Sequence, residues 1–359
     1  MRLSSAGASD ERAMGEVQRR LATADQTAQE AGNTVRVSVV VPVYNGAHLI
    51  GRCLHALTHQ TTARWRYEVI VVDDGSSDSS ADVAARHNVR VIRQPHRGAA
   101  AARNAGIAAA RGDLVLFTDA DCESCPDWIE QMVAPFDDPQ VSGVKGVYGT
   151  RQRELVARFV QLEYEDRYRR MADQETIDFV DTYSAGYRRR VLLEARGFDT
   201  RYVVGEDQEL SFRLAKAGQR LVFQPTARVY HQHPATLAAY VRRKYGVGYW
   251  KVLVGASHPD KLWRDSHTPQ LLKAQIVLAS CIVIGAASLW LWPNCLWLAV
   301  AALGLLLVTT APFCAHAWRA DRAVAVVAPW LLVVRAFSIG AGFAAGIVVR
   351  LAQRLLRRS

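Results

Sequence analysis

Lysine is scarce in this sequence: of its 44 Lys and Arg residues, only Lys145, Lys216, Lys244, Lys251, Lys261 and Lys273 are lysine. Positive charge is carried by planar guanidinium groups, which suit bidentate contacts to phosphate, whether on nucleic acid, lipid headgroups or nucleotide sugars. Cysteine is sparse too. Six cysteines scattered over 359 residues exclude a disulfide framework and favour a reducing compartment. The lone Cys-x-x-Cys at Cys122 and Cys125 has no second pair to complete a zinc site. No apolar run follows the polar residues 1–34, so no secretory signal is expected, and the segment reads as a disordered tail. The first strand is not followed by G-x-G-x-x-G, which removes a dinucleotide-binding enzyme.

What is present is uneven. Half the residues are hydrophobic and 22% are charged, with a net charge of +10, but charge crowds into the first 265 residues and the last ten. Residues 274–292 (19) and 295–318 (24) contain no charge. Each run is long enough to cross a hydrocarbon core of about 30 Å as a helix. Trp290, Trp292, Trp297 and Trp318 lie near the ends of these runs, as interfacial aromatics do. They read as a transmembrane hairpin. A third run, 323–349, is interrupted by Arg335 and is either a third span or a re-entrant pair of half-helices. The positive-inside rule places both the N-terminal domain and the Arg350, Arg354, Arg357, Arg358 tail (350–359) on the cytoplasmic face, which requires an even number of crossings.

Residues 37–43, 67–72, 89–92 and 113–117 read as buried strands, and 47–58, 79–86 and 99–110 as the helices between them. That alternation describes a parallel, doubly wound α/β sheet whose ligand lies beyond the carboxyl ends of its strands. The residues at those ends are Tyr44-Asn45-Gly46, Asp73-Asp74-Gly75-Ser76 and Thr118-Asp119-Ala120-Asp121. A D-x-D pair after an apolar strand can hold a hard divalent cation. Beside a nucleotide diphosphate such acids would be repulsive without one, so the pair argues for Mg²⁺ or Mn²⁺. Further on, Gly205-Glu206-Asp207 opens an amphipathic helix, and strand-like runs at 220–223 and 227–231 end on His231, with His233 beyond. Asp207 could serve as a general base in the same cleft, and His231 or His233 could give a nitrogen ligand.

The ordered series Val-Pro-Val-Tyr-Asn-Gly, Val-Asp-Asp-Gly-Ser-Ser-Asp, Arg97-Gly98…Arg103-Asn-Ala-Gly106, Phe-Thr-Asp-Ala-Asp121 and Gly205-Glu-Asp207…Arg213 resembles the inverting family 2 glycosyltransferases. The resemblance spans roughly 35–235. It implies a GT-A type, Rossmann-like mixed sheet flanked by helices, followed here by transmembrane helices as in the polysaccharide and lipid-linked-sugar branches. It further implies that Pro42, Tyr44, Asp74, Gly98, Arg103 and Asp119 bind the donor, a UDP- or GDP-sugar. Asp121, with Asp119 and His231, would meet the metal. Asp207 would be the catalytic base, with Glu206 beside it on the acceptor side. Arg196-Gly-Phe-Asp199 replaces a more usual Gly-Gly-Phe-Asp, and no Q-x-x-R-W element is present, which speaks against processive synthesis. The acceptor would be a lipid-linked sugar or a polysaccharide, with lipids as the other partner.

Two basic stretches adjoin this domain. Residues 151–170 read as a helix with Leu155, Phe159 and Leu162 on one face. Residues 236–270 mix Arg242, Arg243, Lys244 and Lys251 with Tyr245, Tyr249 and Trp250 and read as an interfacial collar on anionic headgroups. A nucleic-acid-binding protein would explain the charge but neither the strand-end acids nor the hairpin, so no nucleic acid is expected. The remaining rivals are a sugar nucleotidyltransferase and a non-catalytic membrane scaffold.

Overall fold

A computed structural model describes residues 35–62, 66–257 and 269–356. The expected tail 1–34, the collar residues Lys261, Trp263 and Arg264, and Arg357 and Arg358 lie outside the described residues. The first half alternates as its pattern requires: β1 (Val37–Val43), α1 (Ala47–Thr58), β2 (Tyr67–Asp73), α2 (Ser80–Ala84), β3 (Arg90–Arg93), α3 (Ala99–Ala109) and β4 (Leu114–Phe117). A two-residue strand β5 (Glu123–Ser124) and α4 (Trp128–Val133) precede β6 (Val141–Gly149), α5 (Leu155–Ala172), β7 (Ala185–Arg188), α6 (Arg189–Glu194), α7 (Glu206–Lys216) and β8 (Arg220–Tyr230). These make one eight-stranded sheet in the order β3-β2-β1-β4-β7-β6-β8-β5.

The expected parallel pairing holds over β3, β2, β1 and β4. Beyond them the sheet is mixed: β7 runs antiparallel to β4 and β6, while β8 is parallel to β6. A wholly parallel, doubly wound sheet is therefore corrected to the mixed one that the resemblance implied. β6 and β7 escaped the sequence reading because VSGVKGVYG and AGYR are weak in β-branched and aromatic residues. Runs 220–223 and 227–231 belong to one strand, whose pairing with β6 jumps from Lys145↔Phe223 to Val147↔Arg228, with Pro225 in the interruption.

Strand periodicity sorts the core. Val39, Val41, Val71 and Leu116 face α1 and α4 through Leu54, Leu57, Trp128 and Met132. Val40, Ile70, Val72 and Phe117 face the other layer, with Ile107, Tyr187, Leu192, Phe198 and Leu210. Seven of the eleven residues of α3 are alanine, the strongest helix former, and Gly106 lets it lie close on Val40 of β1.

The C-terminal part comprises α8 (Leu237–Ser257), α9 (Gln270–Ser288), α10 (Cys295–Val308), α11 (Ala311–Ala320) and α12 (Arg322–Leu356). Among the described residues three stretches are long and apolar enough to cross a membrane: Gln270–Ser288, Cys295–Ala320 and Arg322–Ala352. The α9–α10 hairpin carries its apolar side chains outward, with Trp290 at 92% exposure and Trp297 at 72%. α12 differs. Its first half packs Val324, Ala328, Leu331 and Leu332 against Phe159 and Leu162 of α5 and Tyr240 of α8. Its second half lies on α8 so closely that a side chain on Gly342 would strike the Tyr245 carbonyl, and one on Gly248 the Ile339 carbonyl.

The re-entrant pair of half-helices is not what forms: α12 is continuous for 35 residues, through Pro329 and Arg335. Arg335 does not need to break it, because Nη1 donates to Glu163 Oε1 at 2.8 Å and Nη2 to Gln275 Oε1 at 2.7 Å. A guanidinium with protein partners is tolerated inside an apolar helix.

Candidate active site

The carboxyl ends of β1, β2, β4 and β8 and the start of α7 converge on one cleft. At β2, Asp74 is 3% exposed and heavily used. Its Oδ1 accepts from Gln94 Nε2 at 2.6 Å and the Arg97 backbone N–H at 3.0 Å, and its Oδ2 from the Gly98 N–H at 2.8 Å. His96 Nδ1 lies 2.9 Å from Oδ2. A carboxylate has about four acceptor positions, so these partners already fill Asp74. It builds the loop that carries Gly98, and another N–H could enter only by displacing His96, whose side chain is 55% exposed. The His96 ring stacks on Tyr44 at 4.0 Å between centroids, so the two make an open aromatic shelf beside Asp74. Pro42 lies at the end of β1, below Tyr44. His96 was missed in the sequence because a loop histidine in Gln-Pro-His-Arg carries no motif.

Arg103, on α3, is buried. Its Nη2 donates to Asp119 Oδ1 at 2.9 Å and its Nη1 to Glu206 Oε1 at 2.5 Å. The guanidinium thus ties the end of β4 to the start of α7, and its fork is engaged with protein carboxylates. Gly205 makes that start possible: its φ of +85° is a left-handed conformation that glycine adopts without steric cost. Asp207 follows at the first turn. Burial and the neighbouring Glu206 carboxylate push its carboxyl up to about 7, against the pull of Arg103, the Gln208 N–H and Lys145.

Of the two histidines, His231 is the one beside the D-x-D: its Nε2 is 3.1 Å from Asp121 Oδ2. β5 pairs Glu123 with Tyr230 and so brings the two together. Burial pushes the Asp121 carboxyl upward, but the bond to His231 outweighs it and holds the group below its ordinary value. His233 is committed elsewhere. Its Nε2 faces Gln161 Oε1 at 2.9 Å, it stacks on Tyr164, and burial pulls it down to about 3. Among the described residues no group of three or more His, Cys, Asp or Glu side chains forms a metal cage. Cys122 and Cys125 make no disulfide.

Asp207 also faces a chamber of about 490 Å³ between the sheet domain and the membrane helices. Its walls include Glu163 and Arg167 of α5, Asp181, and Arg242, Arg243 and Lys244 of α8. Leu272 and Ile276 of α9 and Ile339 of α12 close its far end. Glu163 sits at a hub, with Lys244 Nζ 3.0 Å from Oε2, Arg335 on Oε1 and Tyr240 Oη at 3.3 Å. Lys145, wholly buried on β6, pairs with Asp181. None of Glu163, Asp181 or Lys145 was singled out by sequence; only the tertiary fold gathers them.

Comparison with known proteins agrees with this geometry. The profile of glycosyl transferase family 2 matches residues 38–195. The pre-mycofactocin glycosyltransferase of Mycobacterium tuberculosis is 34% identical over 235 residues, which are 63% of this chain and 48% of that protein, so the chain spans about half of that relative. Glycosyltransferase AglE of Haloferax volcanii is 31% identical over 228 residues, 61% of this chain and 73% of that protein. In three dimensions the chain superposes on the mannosyltransferase PcManGT of Pyrobaculum calidifontis, solved with GDP-Man and Mn²⁺, with a TM-score of 0.57 over 87% of each chain at 22% identity. The mixed sheet is that of the GT-A fold. The chain belongs to glycosyl transferase family 2.

Proposed function

We propose that this chain transfers a sugar, with inversion, from a nucleotide-diphosphate sugar to a membrane-associated acceptor, a lipid-linked sugar or a polysaccharide. The observation that carries the reading is the position of Asp207, between the Arg103 bridge to Asp119 on one side and a chamber closed by apolar helices on the other. Donor and acceptor would meet there from opposite faces, as a single displacement requires. The Tyr44–His96 shelf and the β2 loop would receive the nucleotide base. UDP- and GDP-sugars are the favoured donors, in keeping with the GDP-Man held by the mannosyltransferase of like fold.

Asp121 and His231 offer one carboxylate and one imidazole, a donor set that suits Mn²⁺ or Mg²⁺. The 3.1 Å between His231 Nε2 and Asp121 Oδ2 fits a pair that shares a cation. With only two such side chains, the donor's diphosphate oxygens would complete the shell. Asp119 would help through the ribose and the metal edge. The ion, when bound, would neutralise charge on the departing diphosphate.

The rest is done by the chain. Asp207 Oδ takes the proton of the acceptor hydroxyl as that oxygen attacks the anomeric carbon, and a carboxyl raised towards neutrality is matched to that transfer. Arg103 keeps Glu206 and Asp119 in register around it, and the chamber excludes water from the acceptor side. Residues 35–235 would form the catalytic unit, 236–270 the interfacial segment and 271–349 the membrane helices. The outward-facing α9–α10 hairpin supports one pair of crossings, with the catalytic domain and the basic tail on the cytoplasmic side of the cell membrane.

The test is metal-dependent release of nucleoside diphosphate from a panel of nucleotide sugars, comparing wild type with Asp207→Asn and Asp121→Ala. Both variants should lose turnover, and Asp121→Ala should also lose its response to Mn²⁺. If both match wild type, the site assignment is wrong and the scaffold reading stands.

A further inference from the structure

Tyr44 and Asp74 bound a slot that is filled by a side chain of the protein itself. Its two walls are fixed. The Asp74 N–H donates to the Val43 carbonyl at 2.9 Å. The turn after Tyr44 is tied to the same β2 loop: the Asn45 N–H donates to Ser76 Oγ at 2.9 Å, and Asn45 Oδ1 accepts from the Ser77 N–H at 2.8 Å. Between these walls lies the His96 ring, stacked on Tyr44 with 27° between the planes. Its Nδ1 is 2.9 Å from Asp74 Oδ2 and 3.2 Å from the Asp74 carbonyl oxygen. Both neighbours are acceptors, so Nδ1 carries a proton and turns it towards them. A flat heterocycle that lies on a tyrosine face and gives a ring N–H to a buried carboxylate makes the contacts that uracil or guanine would make there.

We infer that His96 is a resident competitor of the donor's base: it holds the Tyr44 face and Asp74 Oδ2 while no nucleotide is bound, and the base binds by displacing it. This rests on the reading of the β2 loop as the base site and adds the residue that sets the affinity there. An occupant is favoured because an oxygen of a buried carboxylate left without a donor is costly. Of the groups on Asp74, His96 is the one able to yield. Arg97 and Gly98 bond through backbone N–H groups, and moving them would move the loop. That loop is also pinned by the Gln94 N–H on the Asp73 carbonyl at 2.9 Å, and it presses on Gly75, where a side chain would strike the His96 backbone nitrogen. The exposed His96 side chain needs only rotation about its own bonds, a motion of picoseconds to nanoseconds. Competition of this kind weakens the hold on the donor and on the departing nucleoside diphosphate alike.

The test is nucleotide binding to the purified full-length chain in dodecyl maltoside with Mn²⁺, with no acceptor and no turnover. UDP, GDP and inorganic pyrophosphate, a ligand without a base, would be titrated calorimetrically into wild type and His96→Ala. The nucleotide that binds should bind the variant about three- to tenfold tighter, the range of one net hydrogen bond, and pyrophosphate should bind both proteins equally. A second measurement needs no variant: modification of His96 by diethyl pyrocarbonate in wild type, followed by peptide mass spectrometry, should speed up when that nucleotide is added, because the ring leaves its stack. Equal or weaker nucleotide binding by His96→Ala would overturn the inference. So would a gain for pyrophosphate in the same proportion, which would mark a change at the diphosphate rather than the base. An unchanged or slower modification of His96 would overturn it too, placing the base on the histidine instead of in its position. If neither UDP nor GDP bound either protein more tightly than pyrophosphate, the donor reading would fail and this inference with it. Equal binding of UDP or GDP by both proteins would remove the inference and leave that reading standing.

Discussion

Replacing Glu163 by glutamine removes the one carboxylate on which α5, α8 and α12 converge. In the intact protein burial pushes the Glu163 carboxyl up, but Lys244 and Arg335 overcome this and bring it from 4.5 to about 2. At about 1.4 kcal/mol per pH unit, that gap corresponds to roughly 3 kcal/mol in favour of the folded state. Lys244 runs the other way. Burial pulls its ammonium from 10.5 to about 8 despite Glu163, an opposing term of similar size. The intact group is therefore worth little net, whereas losing its carboxylate is costly, because Lys244 and Arg335 are left without it, at about 3–5 kcal/mol. Glu163→Gln should lower the apparent melting temperature in dodecyl maltoside by roughly 6–20 °C, taking 2–4 °C per kcal/mol. Adding Lys244→Met should recover part of the loss, since Arg335 keeps Gln275 but not its carboxylate.

The pH dependence has a definite sign. A carboxyl with a lowered folded value contributes fully above its unfolded value, near 4.5, and its contribution disappears as pH falls towards 2. The stability gap between wild type and Glu163→Gln should therefore be constant near neutrality and close below pH 4.5. A single variant within about 2 °C of wild type, or a double variant less stable than the single one, would refute the reasoning.

With Asp207 as the proposed base, its carboxylate is the active form and its carboxyl is pushed up to about 7, so nucleoside diphosphate release should rise with pH through about 7 and then level off; a profile already flat at pH 5 would rule out this base. Arg103→Lys keeps the charge but cannot span both Asp119 and Glu206, so turnover should fall by at least about tenfold. Its acidic limb should stay near its wild-type position, because the positive charge that lowers Asp207 is kept. Gly342→Leu would force α12 away from the Tyr245 carbonyl and should lower the melting temperature, while Gly246→Ala, where nothing lies within contact distance, should not.

The first four strands, the acids at their ends and the apolar hairpin were legible because each is a local signal: a β-branched run, a turn, a run of uncharged residues. β6 was not, since its glycines and Lys145 hide a strand that is buried on both faces only after β7 and β8 close around it. The line of site residues was readable, but the partners of those residues were not. Asp74 is filled by Gln94, Arg97, Gly98 and His96, and Arg103 by two carboxylates, which depends on where loops arrive rather than on their spelling. Arg335 shows the same limit. In sequence it interrupts an apolar run, and only the presence of Glu163, 172 positions earlier, explains why the helix continues.

The stripe of Phe159, Val160 and Leu162 on α5 faces not the sheet but α8, α11 and α12, through Tyr240, Phe313 and Val324. Arg158 clamps the same edge to Asp321 with two bonds of 2.7 and 2.6 Å. The apolar helices are thus a keel built into the fold rather than an anchor on a rope. A chain cut after residue 235 would leave that stripe wet and Glu163 unanswered, so solubilising the catalytic half by truncation should yield a sticky, weakened protein. The two halves could not diverge separately: whatever reshapes the apolar helices also redraws one wall of the chamber beside Asp207.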